Sequence, residues 1–379
     1  MKTLAYTDTK MMVKHLELLN RCTLKNPRFP DLTKVRIQVQ NDKIVMTTRD
    51  SHQHLTVIIA RYRDTDLVID RFVDPVVMLK LLKTIKLNMI RIVYNPDNHE
   101  VSGYDDYKVL FTLPTTDVPI DYPTPQIIAT SDRVMLSEAF IDAIIFSGHA
   151  KLSKAAPFGY KGIKLQPNEH GVVTIAGTDG YRLAETSSLS DCTTTIKIPA
   201  DYHKTIVDLI KQQRTFSLVC DGDRVQISIA DAYYGFKNDT EGFFLGTEGF
   251  FPDDLEDRYV TLDRKQIQGI LSDLASVACT QNNKTIATIT DSQIVLKTQT
   301  NDDPEFSKIN WFETRIDCTE NLLADPTLTF AINVQYLYQA VKALPKEIHK
   351  VHLFIAGSEL PLYLFCGPYR AIIMTLSGS

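Results

Sequence analysis

The chain has 379 residues, 44% of them hydrophobic and 23% charged, with a formal net charge of -5 at pH 7. That balance excludes a disordered or collagenous chain, and the length suits two or three domains of ordinary size. No stretch approaches the roughly 20 apolar residues of a membrane helix, and the first residues, Met1 to Asp8, lack the apolar core of a signal peptide.

Apolar residues at helical spacing predict helices over Asp8 to Lys25, Asp74 to Asn88, Ser137 to Gly148, Asp201 to Arg214, Asp263 to Thr280 and Asn333 to Leu344. The first, third and fifth begin 129 and 126 residues apart, and the second, fourth and sixth 127 and 132. An interval that recurs in two separate series marks an internal repeat. Between the helices lie short alternating runs such as Val35 to Val39, Ile44 to Thr48, Val172 to Ala176 and Ile294 to Thr298. They are punctuated by Asn41-Asp42, Asp221-Gly222-Asp223 and Thr290-Asp291-Ser292, turn residues that suit antiparallel hairpins. Three similar α+β domains are expected, 1–126, 127–257 and 258–379, with linkers in the Pro-rich stretch Pro114 to Pro125 and the acidic stretch Pro252 to Asp257.

The six cysteines are scattered, with no C-x-x-C pair and no histidine cluster beside them, so reduced thiols are expected and neither metal nor other cofactor is. A cytoplasmic protein fits that usage. Taken with their C-terminal turns, the six helical segments carry a net charge of +8, which leaves -13 for the rest of the chain. Such a division lets one surface hold a polyanion while the others repel it. Lysine and arginine are also good helix formers, and a set of solvated helix faces is the other reading of the same pattern.

The segment Thr174-Ile175-Ala176-Gly177-Thr178-Asp179-Gly180-Tyr181-Arg182-Leu183-Ala184 resembles the ATDGHRLA stretch in the middle domain of bacterial β sliding clamps. Leu245 to Asp253 is similar to that domain's glycine-then-FPD ending, and Phe330 to Leu337 to the family's FNxxYL helix start. A weaker echo runs from Leu113-Pro114 through Tyr122-Pro123 at the end of the first domain. The resemblance implies an α+β chain of three similar DNA-clamp domains, two copies closing head to tail into a ring with helices inside and antiparallel sheets outside. It implies double-stranded DNA, a DNA polymerase, a clamp loader, other proteins with clamp-binding motifs and a second copy of the chain as partners, and no membrane.

By that resemblance a pocket for partner peptides is formed by Tyr160, Thr178, Gly180, Tyr181, Leu183, Pro252, Leu255, Asn333, Tyr336, Pro361, Ile372, Met374 and Leu376. Phosphate-directed, sequence-independent contacts to DNA fall to Lys10, Lys14, Arg21, Lys25, Lys80, Lys83, Lys151, Lys154, Lys204, Lys211, Arg214, Lys265, Lys342 and Lys346, and the loop Lys151 to Tyr160, with Phe158 among lysines, is the place for a closer contact to DNA. Two positions depart from the family: Tyr181 stands for the usual histidine and Thr375 for the usual proline. They imply a divergent member with its own peptide preference, of the kind carried by a phage or plasmid.

An enzyme is the competing reading. Ser147-Gly148-His149 or Asp201-Tyr202-His203 could supply a nucleophile and a base, yet there is no G-x-S-x-G elbow, P-loop, H-E-x-x-H or G-x-G-x-x-G. No catalytic residue is expected. A peptide-binding scaffold that does not encircle DNA is the alternative among non-enzymes; it would keep the pocket and have no use for basic helices.

Overall fold

The structure is a computed structural model that describes residues 2–24, 28–40, 43–61, 69–125, 128, 134–150, 162–211, 216–229, 231–238, 247, 249–252, 259–278, 283–299, 311–323, 328–355 and 357–376. Apart from short 3-10 turns and two minor strands, one succession occurs three times: a strand, a helix, four strands, a helix and three strands. The first is β1 (Lys2–Asp8), α1 (Thr9–Cys22), β2 (Val35–Gln40), β3 (Lys43–Arg49), β4 (Gln53–Arg61), β5 (Asp70–Val73), α2 (Pro75–Thr84), β6 (Met89–Asn95), β7 (Glu100–Asp105) and β8 (Lys108–Pro114), followed by the minor strand β9 (Thr116–Asp117). The second is β10 (Val134–Leu136), α3 (Glu138–Ser147), β11 (Gly162–Pro167), β12 (Val172–Thr178), β13 (Arg182–Leu189), β14 (Ile196–Pro199), α4 (Ala200–Ile210), β15 (Phe216–Asp221), β16 (Arg224–Ile229) and β17 (Ala232–Lys237). The third is β18 (Val260–Asp263), α5 (Arg264–Val277), β19 (Lys284–Ile289), β20 (Gln293–Gln299), β21 (Trp311–Asp317), the minor β22 (Glu320–Asn321), β23 (Leu328–Asn333), α6 (Val334–Ala343), β24 (Lys350–Ile355), β25 (Leu362–Cys366) and β26 (Tyr369–Ile373).

Each predicted helix is present, and five of them start where a polar side chain caps them. Asp8 accepts from the Met11 amide, Asp74 from Val76 and Val77, Ser137 from Phe140, Asp263 from Gln266 and Asn333 from Gln335. Each satisfies an amide that the first helical turn would otherwise leave without a partner. Asp8, Asp263 and Asn333 are also the last residues of β1, β18 and β23. The same side chain therefore ends a strand and begins a helix.

By contact the chain forms two compact units, one of residues 1–136 and 205–239, the other of 137–204 and 240–379. The first holds the sheets β1-β6-β7-β8 and β10-β15-β16-β17-β4-β3-β2-β5-β9; the second holds β14-β11-β12-β13-β26-β25-β24-β18-β22 and β21-β20-β19-β23. All pairing is antiparallel among the described strands. The units cut across the thirds of the sequence because two sheets run through from one third to the next, by β17 on β4 and by β26 on β13.

In the first unit Met12, Leu16 and Leu19 of α1 are buried, as are Ile37, Met46, Leu55 and Val57 of the sheet. In the second, Ile267, Leu271 and Leu274 of α5 share a core with Val334, Leu337 and Val341 of α6 and with Leu262, Leu353 and Leu364 of the strands. Burial at i, i+4 and i+7 is the apolar face of an amphipathic helix laid on a sheet. Arg264, 8% exposed, donates to the carbonyls of Leu344 at 2.7 Å and Pro345 at 2.8 Å, placing a cation at the C-terminal end of α6 where the helix dipole favours one. Among the described residues no helix is long and apolar enough to cross a membrane, and no group of three His, Cys, Asp or Glu side chains lies close enough to hold a metal ion.

Candidate functional site

The turn from β12 to β13 is built by Asp179, which has no exposed surface. Its Oδ1 accepts from the amides of Tyr181 and Arg182, both at 3.1 Å, and its Oδ2 accepts from Arg182 Nε at 3.0 Å. Thr178 Oγ1 donates to the Arg182 carbonyl at 2.6 Å and accepts from the Gly180 amide at 3.1 Å. Gly180 has φ +84, a conformation that favours glycine, and a Cβ there would meet nothing within 4 Å. The turn holds its shape by its own hydrogen bonds and leaves open space above it.

Leu183, the second residue of β13, lies opposite Ile372 of β26, and Met374 beyond that strand donates its amide to the Tyr181 carbonyl at 3.0 Å. Thr178, Gly180, Tyr181, Arg182, Leu183, Ile372 and Met374, joined by Thr247 and Phe250, line a cavity of about 120 Å³. Tyr181, Phe250 and Met374 are 45%, 42% and 44% exposed at its mouth. Three large apolar side chains left in water around a small cavity mark a docking surface and not a finished core. Behind the turn, the Arg182 guanidinium sits 4.2 Å from the centre of the Tyr336 ring and donates to Gln339 Oε1 at 2.6 Å, which ties the turn to α6. Burial pushes the Tyr336 hydroxyl pKa up, the nearby Asp179 carboxylate adds to that, and the Arg182 charge opposes it.

No family model matches the sequence, and no curated protein matches it. Solved structures do match along nearly the whole chain. The DNA polymerase III β subunit of Thermotoga maritima aligns at 14% identity with a TM-score of 0.79, over 99% of each chain. The Helicobacter pylori β clamp bound to a DNA ligase peptide aligns at 16% and 0.77, over 98% of this chain and 99% of that one. A Pseudomonas aeruginosa sliding clamp bound to griselimycin aligns at 16% and 0.78, over the full length of both. This chain has the sliding-clamp fold.

Of the pocket positions expected in a clamp, six line the cavity: Thr178, Gly180, Tyr181, Leu183, Ile372 and Met374. Tyr336 lies behind the turn under Arg182, and Asn333 is occupied in capping α6. Leu376 is half-buried and donates its amide to the Ala331 carbonyl at 2.8 Å, while Thr375 bridges to Ile332, so the chain after β26 runs along β23. Pro252 and Pro361 are half-buried outside the cavity lining, and Tyr160 and Leu255 fall outside the described residues. Sequence reasoning missed Thr247 and Phe250 as lining residues and Arg182 as the residue that holds the turn to α6. Phe250 lies in the quoted run Leu245 to Asp253, but nothing in a sequence says that this phenylalanine stays in water.

Of the predicted phosphate-binding residues, Lys10, Lys14, Lys80, Lys204, Lys211, Lys265 and Lys346 are exposed on or just after the helices. Three others are engaged: Arg21 pairs with Asp208 of α4, Lys83 with Glu17 of α1 at 2.7 Å, and Lys342 lies 5.2 Å from the Tyr338 ring. Lys25, Lys151, Lys154, Phe158 and Arg214 fall outside the described residues. Three side chains of the polar trios that could have supplied a nucleophile and a base, Ser147, His149 and His203, contact backbone carbonyls. Ser147 Oγ donates to the Ile175 carbonyl at 2.7 Å, and the His203 Nε2 lies 3.2 Å from the Ile144 carbonyl. Burial, helped by the Arg182 charge, pushes His149 down to about 3, against the contact of its Nδ1 with the Phe146 carbonyl.

Proposed function

We propose that this chain is a DNA sliding clamp: two copies close head to tail around duplex DNA, and apolar peptides carried by a polymerase, a clamp loader and other partners dock at the cavity between β13 and β26. The observation that carries the reading is the pattern of sheet edges. By position in the repeat, β4, β13 and β21 correspond, and so do β8, β17 and β26. β4 pairs with β17 and β13 with β26, which leaves one junction of the same kind unmade, between β8 and β21. Both are edge strands, and both display apolar side chains in water: Val109, with Tyr107 in the turn before it, on β8, and Trp311 with Phe312 on β21. Exposed edges of that kind are templates for another chain. Joining β21 to β8 of a second copy repeats the other two junctions, and two copies close the circle. The division into domains 1–126, 127–257 and 258–379 belongs to this reading, because each third then contributes one half-sheet to each of two junctions.

The basic helices supply the rest. Lys10, Lys14 and Lys80 make no ion pair among the described residues, and exposed lysines without base-reading partners suit contact with phosphate alone. The test is retention on DNA. Protein reassembled in the presence of circular DNA should stay on the closed circle and leave once the circle is cut. Changing Lys80, Lys83 and Lys86 to glutamate should weaken retention and flatten its salt dependence. Equal loss from cut and closed DNA would leave a peptide-binding scaffold that does not encircle DNA.

A further inference from the structure

The first unit contains a turn built like the one that carries the apolar cavity. Between β3 and β4, Asp50 Oδ1 accepts from the amides of His52 at 2.7 Å and Gln53 at 2.8 Å, and its Oδ2 accepts from Gln53 Nε2 at 2.7 Å. The Asp50 amide donates to the Gln53 carbonyl at 2.9 Å, as the Asp179 amide does to Arg182, and Lys237 donates its amide to the His52 carbonyl at 2.9 Å, as Met374 does to Tyr181. His54 lies opposite Gly235, just as Leu183 lies opposite Ile372. In these bonds the junction of β4 with β17 repeats the junction of β13 with β26; the two bonds of Thr178 Oγ1 have no counterpart at Arg49, and Ser51 lacks the positive φ of Gly180.

The side chains differ at each lining position. Where the apolar cavity has Thr178, Leu183, Ile372 and Met374, this junction has Arg49, His54, Gly235 and Lys237. The cleft they line is larger, about 380 Å³. Arg49, Arg224 and Lys237 bring three positive charges to it against Asp50 and Asp223. Asp50 is spent on the turn, with both oxygens accepting, whereas Arg224 and Lys237 sit in long surface ion pairs, with Asp221 at 3.6 Å and Asp223 at 4.0 Å, and their side chains are 50% and 57% exposed. His54 also lines the cleft, and its buried Nε2 has no hydrogen-bond partner among the described residues.

We propose that the β4–β17 junction is a second docking cleft and that its occupant is an extended peptide segment bearing carboxylates. A carboxylate is the acidic group that a guanidinium and an ammonium pair with directly, and long, exposed ion pairs such as those of Arg224 and Lys237 contribute little on their own and can exchange for carboxylates spaced along a chain. A nucleic-acid strand fits less well. Its denser charge would meet Asp223, and the cleft's phenylalanine, Phe236, is 3% exposed and gives bases no platform to stack on. The cleft does not depend on encirclement of DNA and would persist in a chain that failed the retention test.

Two rhodamine-labelled probes on the full chain decide it by fluorescence anisotropy: a hexapeptide of alternating Asp and Gly, and its Lys-Gly counterpart. The acidic probe should bind saturably below millimolar concentration, and the lysine probe should not. Changing Arg224 and Lys237 together to glutamate should weaken the acidic probe about tenfold or more, with chain mass and circular dichroism unchanged, while Leu183→Asp should leave it unaffected. No saturable binding to the unaltered protein would overturn the proposal. So would binding that survives the double change, binding lost in Leu183→Asp, or an oligothymidylate that shows the double-change sensitivity while the acidic probe binds nowhere.

Discussion

The turn at Asp179 and the turn at Asp50 share the hydrogen bonds of their aspartates and have opposite linings. At Asp179 the carboxylate is wholly buried and neutralised by Arg182, and the residues facing outward are leucine, isoleucine, methionine and tyrosine. At Asp50 the carboxylate is half-buried, the corresponding partner is the neutral Gln53, and the residues facing outward are arginine, lysine and histidine. What repeats is the set of backbone bonds that fix a strand-to-strand turn against the next third of the chain. The pocket's apolar lining is set separately, by Tyr181, Leu183, Ile372 and Met374, whose side chains make none of the turn's hydrogen bonds. A repeated fold can therefore keep its junctions while changing what lines each of them.

Four substitutions break this comparison at different depths. Asp179→Ala removes two amide acceptors and strands the Arg182 charge in a buried site, so it should cost about 3 to 5 kcal/mol in denaturant unfolding and abolish peptide binding with it. Leu183→Asp should leave stability nearly intact while reducing the affinity of a Gln-Leu-x-Leu-Phe type peptide, measured by calorimetry, by about 30-fold or more, as loss of a central apolar anchor does. Asp50→Ala, where no buried charge is stranded, should cost only about 1 kcal/mol, a cap-sized loss.

The smallest effect is in acid. Burial, with the Arg49 and Arg224 charges, pushes His54 down to about 4, from the ordinary value of 6.5. The unfolded chain then takes up a proton before the folded one does. The stability that neutral His54 confers is complete above about 6.5 and is lost as pH falls towards about 4. Replacing His54 by leucine, the residue at the corresponding place in the other turn, should make the urea midpoint less sensitive between pH 7 and pH 5; an unchanged sensitivity would show that His54 is not held neutral.

The helices were legible because their starts are written locally: Asp8, Asp74, Ser137, Asp263 and Asn333 each precede an apolar period and each caps a helix. The segment that holds the Asp179 turn stood out by its likeness to a clamp motif, although the Asp179-Gly180 pair, an aspartate followed by glycine, was not read as a turn. Which strands meet across the thirds was not legible, because the pairing of β17 with β4 joins residues that nothing in either segment marks as partners. For the same reason Arg21 and Lys83 read as cations facing phosphate, while the fold brings Asp208 and Glu17 to them. The kinship of the turns at Asp50 and Asp179 was hidden as well, because the two share the aspartate and its bonds but none of the lining residues.

Both closed junctions lie within one chain, and the account stands on the third being made between two. Sedimentation at micromolar concentration tests this directly. The protein should sediment at about twice its 42.9 kDa chain mass, and Trp311→Glu, which puts a charge on the open edge of β21, should return it to a single chain. A monomer or a trimer of the unaltered protein would contradict it.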